Sequence, residues 1–347
     1  MTGPGRYRRA AECWGRFDAL ARRLDATPTL ALVDARVLRL HPQVGQALAA
    51  RRVQVVALSA GEAVKSLARV EAVARAASGL PRSSTVLAVG GGTIGDVATV
   101  FAHLFKRGVG RLVQVPTTTL AAVDSSVGGK GAVNVGGVKN ALGVFHFADE
   151  AWLCPELFET LSSAQRREGR FEAWKMAVTL DAATFRRWAA ESPSDEEAIR
   201  RGRALKEHVV ARDPYETRGL RVVLNFGHTF GHVVETVTGF RVRHGEAVGL
   251  GLLAALDVGQ RLGVTPPAVV AEVEGAVFGA RLAAARRRLA AVLAQASRDE
   301  VLRLLAADKK SEGGAIRMVL LKSPGRWVTA EVPTRVLPLP GRGSRSR

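Results

Sequence analysis

Cysteine is scarce in this chain of 347 residues. The two present, Cys13 and Cys154, are too few and too far apart to staple a small secreted scaffold, so a reducing, cytoplasmic setting is expected. Long apolar runs are missing as well. The richest, Ala247 to Val258, is short and broken by glycines, which argues against a membrane span. Met1 to Phe17 alternates Arg with small and polar residues and lacks the apolar stretch of a signal peptide. Acidic residues are outnumbered, 32 against 50 Lys and Arg, giving a formal charge of +18. That balance raises nucleic acid as a partner. The basic residues are nevertheless dispersed in short runs such as Arg22-Arg23 and Arg286-Arg287-Arg288, so no specific nucleic-acid binding is expected. Lysine is rare: nine of the 50 basic residues, leaving 41 Arg. Each remaining lysine therefore marks a place where a compact, movable ammonium serves better than a guanidinium fork.

What is present divides near the middle. Short apolar runs, Leu30 to Val33, Val53 to Leu58, Thr85 to Val89 and Leu112 to Val115, alternate with helical stretches such as Ala63 to Ala77. Runs apolar on both faces imply a parallel sheet covered on both sides. After Pro155, Ala/Leu/Arg-rich helical patterns take over until the β-like run Ile316 to Leu321. The expected fold class is α/β: a Rossmann-like nucleotide-binding domain over 1–150, then a mainly α-helical domain over 151–340. The Gly/Ser/Arg-rich tail, 341–347, is expected to be disordered.

Three stretches carry chemistry. Gly90-Gly91-Gly92-Thr93-Ile94-Gly95-Asp96 follows a strand and opens a helix, the pattern that lets backbone approach a pyrophosphate at a helix N-terminus. The usual acid at the end of the next strand is missing, because Pro116-Thr117-Thr118 stands there. Asp34 or Glu62 is the alternative ribose partner. Second, Asp124 to Lys130, with Asn134 and Lys139-Asn140, offers glycine-rich amides and mobile positive charge for an anionic substrate or for cofactor phosphates. Third, His228 and His232 lie one helical turn apart, with His244 following. Thr229 stands where a metalloprotease needs Glu, which excludes that chemistry. A zinc site completed by His244 and a distant carboxylate remains, and Glu172, with Lys175 at i+3, is the best donor.

Together, from about Asp34 to Leu321, these stretches resemble the sugar-phosphate cyclases. The resemblance implies bound NAD in the N-terminal domain, met by Asp34, Glu62, Lys65, Gly92, Thr93, Ile94, Gly95, Asp96, Thr117, Thr118, Lys130, Lys139 and Thr160. It implies Glu172, His228 and His244 as ligands of a divalent metal, Zn2+ in preference to Co2+. Asp124, Lys130, Lys175 and His232 match catalytic positions. Arg107, Asn140, Lys206, Arg221, Asn225, Lys309 and Lys310 match positions that bind a small anionic sugar-phosphate substrate, Arg107 reaching across a homodimer. Seven of the nine lysines fall in these motifs. Retention of Lys206, Arg221, Asn225 and Lys309-Lys310 favours a substrate bearing both carboxylate and phosphate. One departure is Phe171-Glu172-Ala173-Trp174-Lys175, whose bulky Phe171 and Trp174 are expected to reshape the pocket. Cyclases acting on other substrates, a metal-dependent polyol dehydrogenase and a basic nucleic-acid-binding protein are the rival readings.

Overall fold

The computed structural model describes residues 7–24, 27–308 and 315–339. Lys309, Lys310 and the tail 341–347 lie outside the described residues. Ten strands are present among the described residues: β1 (Ala11–Trp14), β2 (Thr29–Asp34), β3 (Gln54–Leu58), β4 (Thr85–Gly90), β5 (Arg111–Pro116), β6 (Lys130–Val135), β7 (Val138–Phe145), β8 (Glu150–Leu153), β9 (Ala315–Ser323) and β10 (Arg326–Pro333). Six form a parallel sheet in the order β1-β8-β5-β4-β2-β3.

The alternation of side chains along β2, β4 and β5 builds two cores. Leu30, Leu32, Val86, Ala88 and Leu112 pack with Ile94, Val97 and Phe101 of helix Gly92–Leu104 and with Val70 and Val73 of helix Leu67–Ala76. Ala31, Val33, Leu87, Val89, Val113 and Val115 pack on the other face with Phe17, Leu20, Val37, Val44 and Leu48. Each buried Leu or Val contributes roughly 1.5–3 kcal/mol, and both faces need apolar residues. That is why these strands read as continuous apolar runs and the fold is α/β.

The chain forms two compact units, 1–169 with 206–217, and 170–205 with 218–347. This division differs from the expected boundary at 150/151, and the reason is visible in the first unit. There β8 pairs with β1 and β5, and Cys154 and Leu157 complete the second core. A hairpin of β6 and β7 also belongs to the first unit. Its turn, Gly136-Gly137, has φ of 58° and 78° at the two residues, the left-handed pair that a tight two-residue hairpin requires. The second unit is mainly helical and carries the antiparallel β9–β10 hairpin.

Candidate active site

In the first unit, backbone geometry places the glycine-rich segment at the end of β4, with helix Gly92–Leu104 starting at once. A Cβ at Gly90 would lie 2.6 Å from Ile94 Cγ1, and one at Gly92 would lie 2.9 Å from Ser125 Oγ. Glycine here allows the first helical turn to close down on the strand and leaves its amides bare. Thr117 N–H donates to the Gly90 carbonyl at 3.0 Å, so Thr117 sits beside the turn. Thr118 accepts from Ala121 N–H at 3.1 Å, and Thr93 Oγ1 accepts from Gly61 N–H at 3.3 Å.

Beside this turn lies a polar cluster. Buried Lys65 sits 2.8 Å from Asp96 and 3.6 Å from Glu62, and donates to Asn140 Oδ1. Asn134 donates to Glu62 at 3.0 Å and accepts from Asn140 N–H at 2.8 Å. Burial pushes the Asp96 carboxyl up, against the pull of Lys65 and, more weakly, of Lys139. Glu62, Lys65, Asp96, Lys139 and Asn140 are thus brought together. Asp34 ends β2 and caps the following helix by accepting from Arg36 N–H at 2.9 Å. Thr160 contacts His41 Nε2 at 3.0 Å.

Asp124 lies in a single π-helical turn, Ala121–Ser125, a distortion that re-aims a side chain. Lys206 stands 2.8 Å from its carboxylate and donates to its backbone carbonyl at 2.6 Å. Lys130, half exposed, pairs with Glu216. Arg107 is exposed, in a turn where Lys106 and Arg107 both have positive φ.

In the second unit the geometry converges on Glu172, which is fully buried on helix Ser163–Leu180. Glu172 Oε1 faces His228 Nε2 at 3.6 Å and His244 Nε2 at 3.5 Å, while Lys175 holds Oε2. One ligand atom from each of Glu172, His228 and His244 lies within 4.8 Å of the others. Ligands about 2.1 Å from a tetrahedral metal stand roughly 3.4 Å apart. The two Glu–His separations match that spacing and exceed a direct hydrogen bond, so the residues fit a divalent cation. The His232 ring lies near the set, 5.6 Å from His228 and 6.5 Å from His244. Arg221 is buried and Asn225 half-buried in the two-turn 3-10 segment Leu220–Asn225 that precedes helix His228–Val237.

Two helices set the histidine spacing. His228 opens helix His228–Val237 and His244 opens helix His244–Arg261. A Cβ at Gly251 would lie 1.9 Å from Gly227 O and 2.7 Å from Gly231 N, so the two backbones are in contact. Gly227 itself has φ of 81° and turns the chain into the first helix.

The charges of two of the three residues fit a ligand set as they stand. Burial alone would raise Glu172, but Lys175, His228 and His244 hold it well below the usual carboxylate range. Burial, reinforced by Lys175, drives His228 well below its ordinary value against the pull of Glu172. Glu172 therefore stays anionic and His228 neutral, the forms that ligate. Burial opposes charge on His244, but Glu172 and Glu235 outweigh it and lift the ring to about 10. His244 must surrender that proton to ligate.

Phe171 and Trp174, the residues expected to reshape the pocket, have packing partners on other helices. Trp174 lies about 200° round the helix from Glu172, at roughly 100° per residue. It packs edge-on to Phe185 and Trp188 in the core of the unit. Phe171 packs on Phe278 and against Gly249. The unusual residues fill space between helices. Glu235 went unread in the sequence, although its place three residues after His232 on one helix was the available signal.

Comparison with known proteins identifies the family. Family models described as 3-dehydroquinate synthase N-terminal and C-terminal match residues 55–168 and 169–311. A 3-dehydroquinate synthase of Endomicrobium trichonymphae is 36% identical over 335 residues, covering 92% of this chain and 90% of that protein. The chain belongs to the 3-dehydroquinate synthase family. Among solved structures similar to it, 2-epi-5-epi-valiolone synthase from Streptomyces hygroscopicus subsp. jinggangensis 5008, with NAD+ and Zn2+ bound, superposes with a TM-score of 0.81 at 25% identity. That match covers 97% of this chain and 96% of the other. A 2-deoxy-scyllo-inosose synthase shares the fold, with a TM-score of 0.78, 24% identity and 94% of each chain covered. The family's own division at 168/169 falls one residue from the boundary between the compact units. Among the described residues no helix is long and apolar enough to cross a membrane.

Proposed function

We propose that this family member is itself a 3-dehydroquinate synthase, converting 3-deoxy-D-arabino-heptulosonate 7-phosphate to 3-dehydroquinate and phosphate on the shikimate route to aromatic amino acids. The observation that carries the reading is the fully buried Glu172 facing two histidine Nε2 atoms and Lys175. When bound, NAD would supply reversible hydride transfer, and a divalent metal, Zn2+ or Co2+, would polarise the substrate hydroxyl. That chemistry would acidify the carbon beside the hydroxyl so that phosphate could leave, and would return the same hydride to restore the hydroxyl. The enolate so formed would close on the separate ketone exposed by ring opening.

The roles of individual residues belong to the same proposal. Glu172, His228 and His244 would hold the metal. Lys175 Nζ, held against Glu172, would hydrogen-bond to the oxygen of the reacting hydroxyl, with Asp124 and His232 orienting the substrate. Lys130, Asn140, Lys206, Arg221, Asn225, Lys309 and Lys310 would bind carboxylate and phosphate. The turn Gly92 to Asp96, with Asp34, Glu62, Lys65, Thr117, Thr118, Lys130, Lys139 and Thr160, would hold NAD. The reading includes a cytoplasmic homodimer in which Arg107 serves the partner's site, with the basic residues acting on the substrate in place of nucleic acid.

The test is phosphate release from the heptulosonate phosphate by metal-loaded protein with NAD, and identification of the carbocycle. Stoichiometric phosphate and dehydroquinate without net NADH are expected. No phosphate release from competent protein would sink this substrate, and net NADH from a simple polyol would establish a dehydrogenase instead.

A further inference from the structure

Glu235 is a buried carboxylate on helix His228–Val237, among the apolar residues Phe230, Val233 and Val234 of the same helix. A buried carboxylate is costly unless a partner compensates it. Its Oε1 lies 3.3 Å from His244 Nδ1, on the side of the ring away from Glu172. The other histidine shows the same division of labour: His228 turns Nε2 to Glu172 and has Nδ1 3.4 Å from the Phe226 carbonyl oxygen. Each ring thus has an acceptor behind Nδ1, which fixes the proton there and leaves Nε2 as the ligating nitrogen. The two acceptors differ, a neutral carbonyl behind His228 and a carboxylate behind His244.

We propose that Glu235 is a positioning residue for the metal centre, orienting His244 through Nδ1 and raising the donor strength of its Nε2. The inference rests on the reading of Glu172, His228 and His244 as metal ligands. Glu235 stands behind the His244 ring, and the proposed effect on the metal is exerted through that ring. A carboxylate behind an imidazole makes the ring a better donor than a carbonyl does. His244 is also the more exposed of the two rings, 29% against 13%, so it has the greater need of an anchor.

The experiment uses full-length protein stripped of metal and reloaded with Zn2+ or Co2+. Zn2+ affinity is measured by competition with a chromophoric chelator, and the Co2+ visible spectrum reports ligand geometry. Glu235→Leu is expected to weaken Zn2+ binding about 10- to 100-fold and to shift the Co2+ bands. Glu235→Gln retains an acceptor oxygen without the charge, and is expected to recover part of that loss. Thermal melting of the metal-free variants checks that they fold. Zn2+ affinity within about twofold of wild type, with an unchanged Co2+ spectrum, in folded Glu235→Leu overturns the proposal. Where that variant does not fold, the same result in Glu235→Gln overturns it. His244→Ala separates the two levels of the argument. Loss of Zn2+ binding there, beside unchanged Glu235 variants, removes the role of Glu235 alone. Wild-type Zn2+ binding by His244→Ala removes the ligand assignment as well.

Discussion

Lys65 in the first unit and Lys175 in the second are both nearly inaccessible lysines paired with carboxylates, at 4% and 1% exposure. Their surroundings part company at the carboxylate. Around Lys65 the acids keep some solvent, Asp96 at 22% and Glu62 at 37%, and two asparagines complete the network. Burial wins at Asp96 and pushes its carboxyl up. Around Lys175, Glu172 is wholly buried, yet the converging positive and imidazole groups hold it well down. Burial by itself thus predicts neither outcome, and the number of compensating groups decides. The first network is a set of directional donors and acceptors suited to hydroxyls and amides. The second sets one buried carboxylate among Lys175 and two imidazoles, a donor set that suits a cation once His244 gives up its proton.

The sharpest way to break this contrast is Lys175→Met. Steady-state activity should fall about 10²- to 10⁴-fold, the range for losing a positioned proton-transfer group. Retention of more than a tenth of wild-type turnover would remove Lys175 from the chemistry. Gly251→Ala attacks the same centre through the backbone. Its Cβ meets Gly227 O, so denaturant unfolding should show a loss of about 3 kcal/mol or more, and an unchanged midpoint would contradict the close helix contact. Lys65→Met tests the other network. It leaves Asp96 without its ammonium, and NAD affinity measured by fluorescence titration should weaken roughly tenfold, the worth of a charge-assisted hydrogen bond. Unaltered affinity would detach Lys65 from the nucleotide.

The smallest expected effect comes from a carboxylate outside both networks. Asp181 caps helix Ala182–Ala190 by accepting from Ala183 and Thr184 N–H at 3.0 and 3.1 Å. Burial opposes its charge, but Thr184 and Arg201 outweigh that and pull its carboxyl down to about 2. A folded value below the unfolded one stabilises the fold above about pH 4 and is lost as pH falls towards 2. Asp181→Ala should cost about 1 kcal/mol at pH 7 and flatten that acid limb. An acid unfolding curve identical to wild type would count against the cap.

Much of the fold was legible because β2, β4 and β5 are apolar on both faces, and only a sheet between two helical layers uses such runs. The short strands β1 and β8 escaped because four residues with alternating Glu and Trp carry too little period to read. The β6–β7 hairpin was hidden by its own glycines. Gly136-Gly137 between Val135 and Val138 carries the signal for a tight turn, which the anion-binding reading of Asp124 to Lys130 with Asn134 and Lys139-Asn140 passes over. At the candidate metal centre, residue types and spacing pointed to His228, His232, His244 and Glu172, and the family resemblance narrowed them to Glu172, His228 and His244. No one-dimensional pattern could say that Trp174 faces away from the ligands, since that depends on which helix face the core claims. Glu235 carried one signal, its place three residues after His232, but its partner His244 sits on another helix.

The contact between Gly227 and Gly251 separates two kinds of freedom in this molecule. Where the two histidine-bearing helices meet, main chain touches main chain, and no side chain acts as a spacer whose size must be retuned. The distance between the ligating rings is therefore inherited from a backbone crossing, while Phe171 and Trp174 belong to the filling around it. In a saturation mutagenesis map this would read as two narrow columns of intolerance at the glycines, flanked by broad tolerance for apolar exchange one helix away. The centre can keep its geometry while the packing that surrounds it drifts.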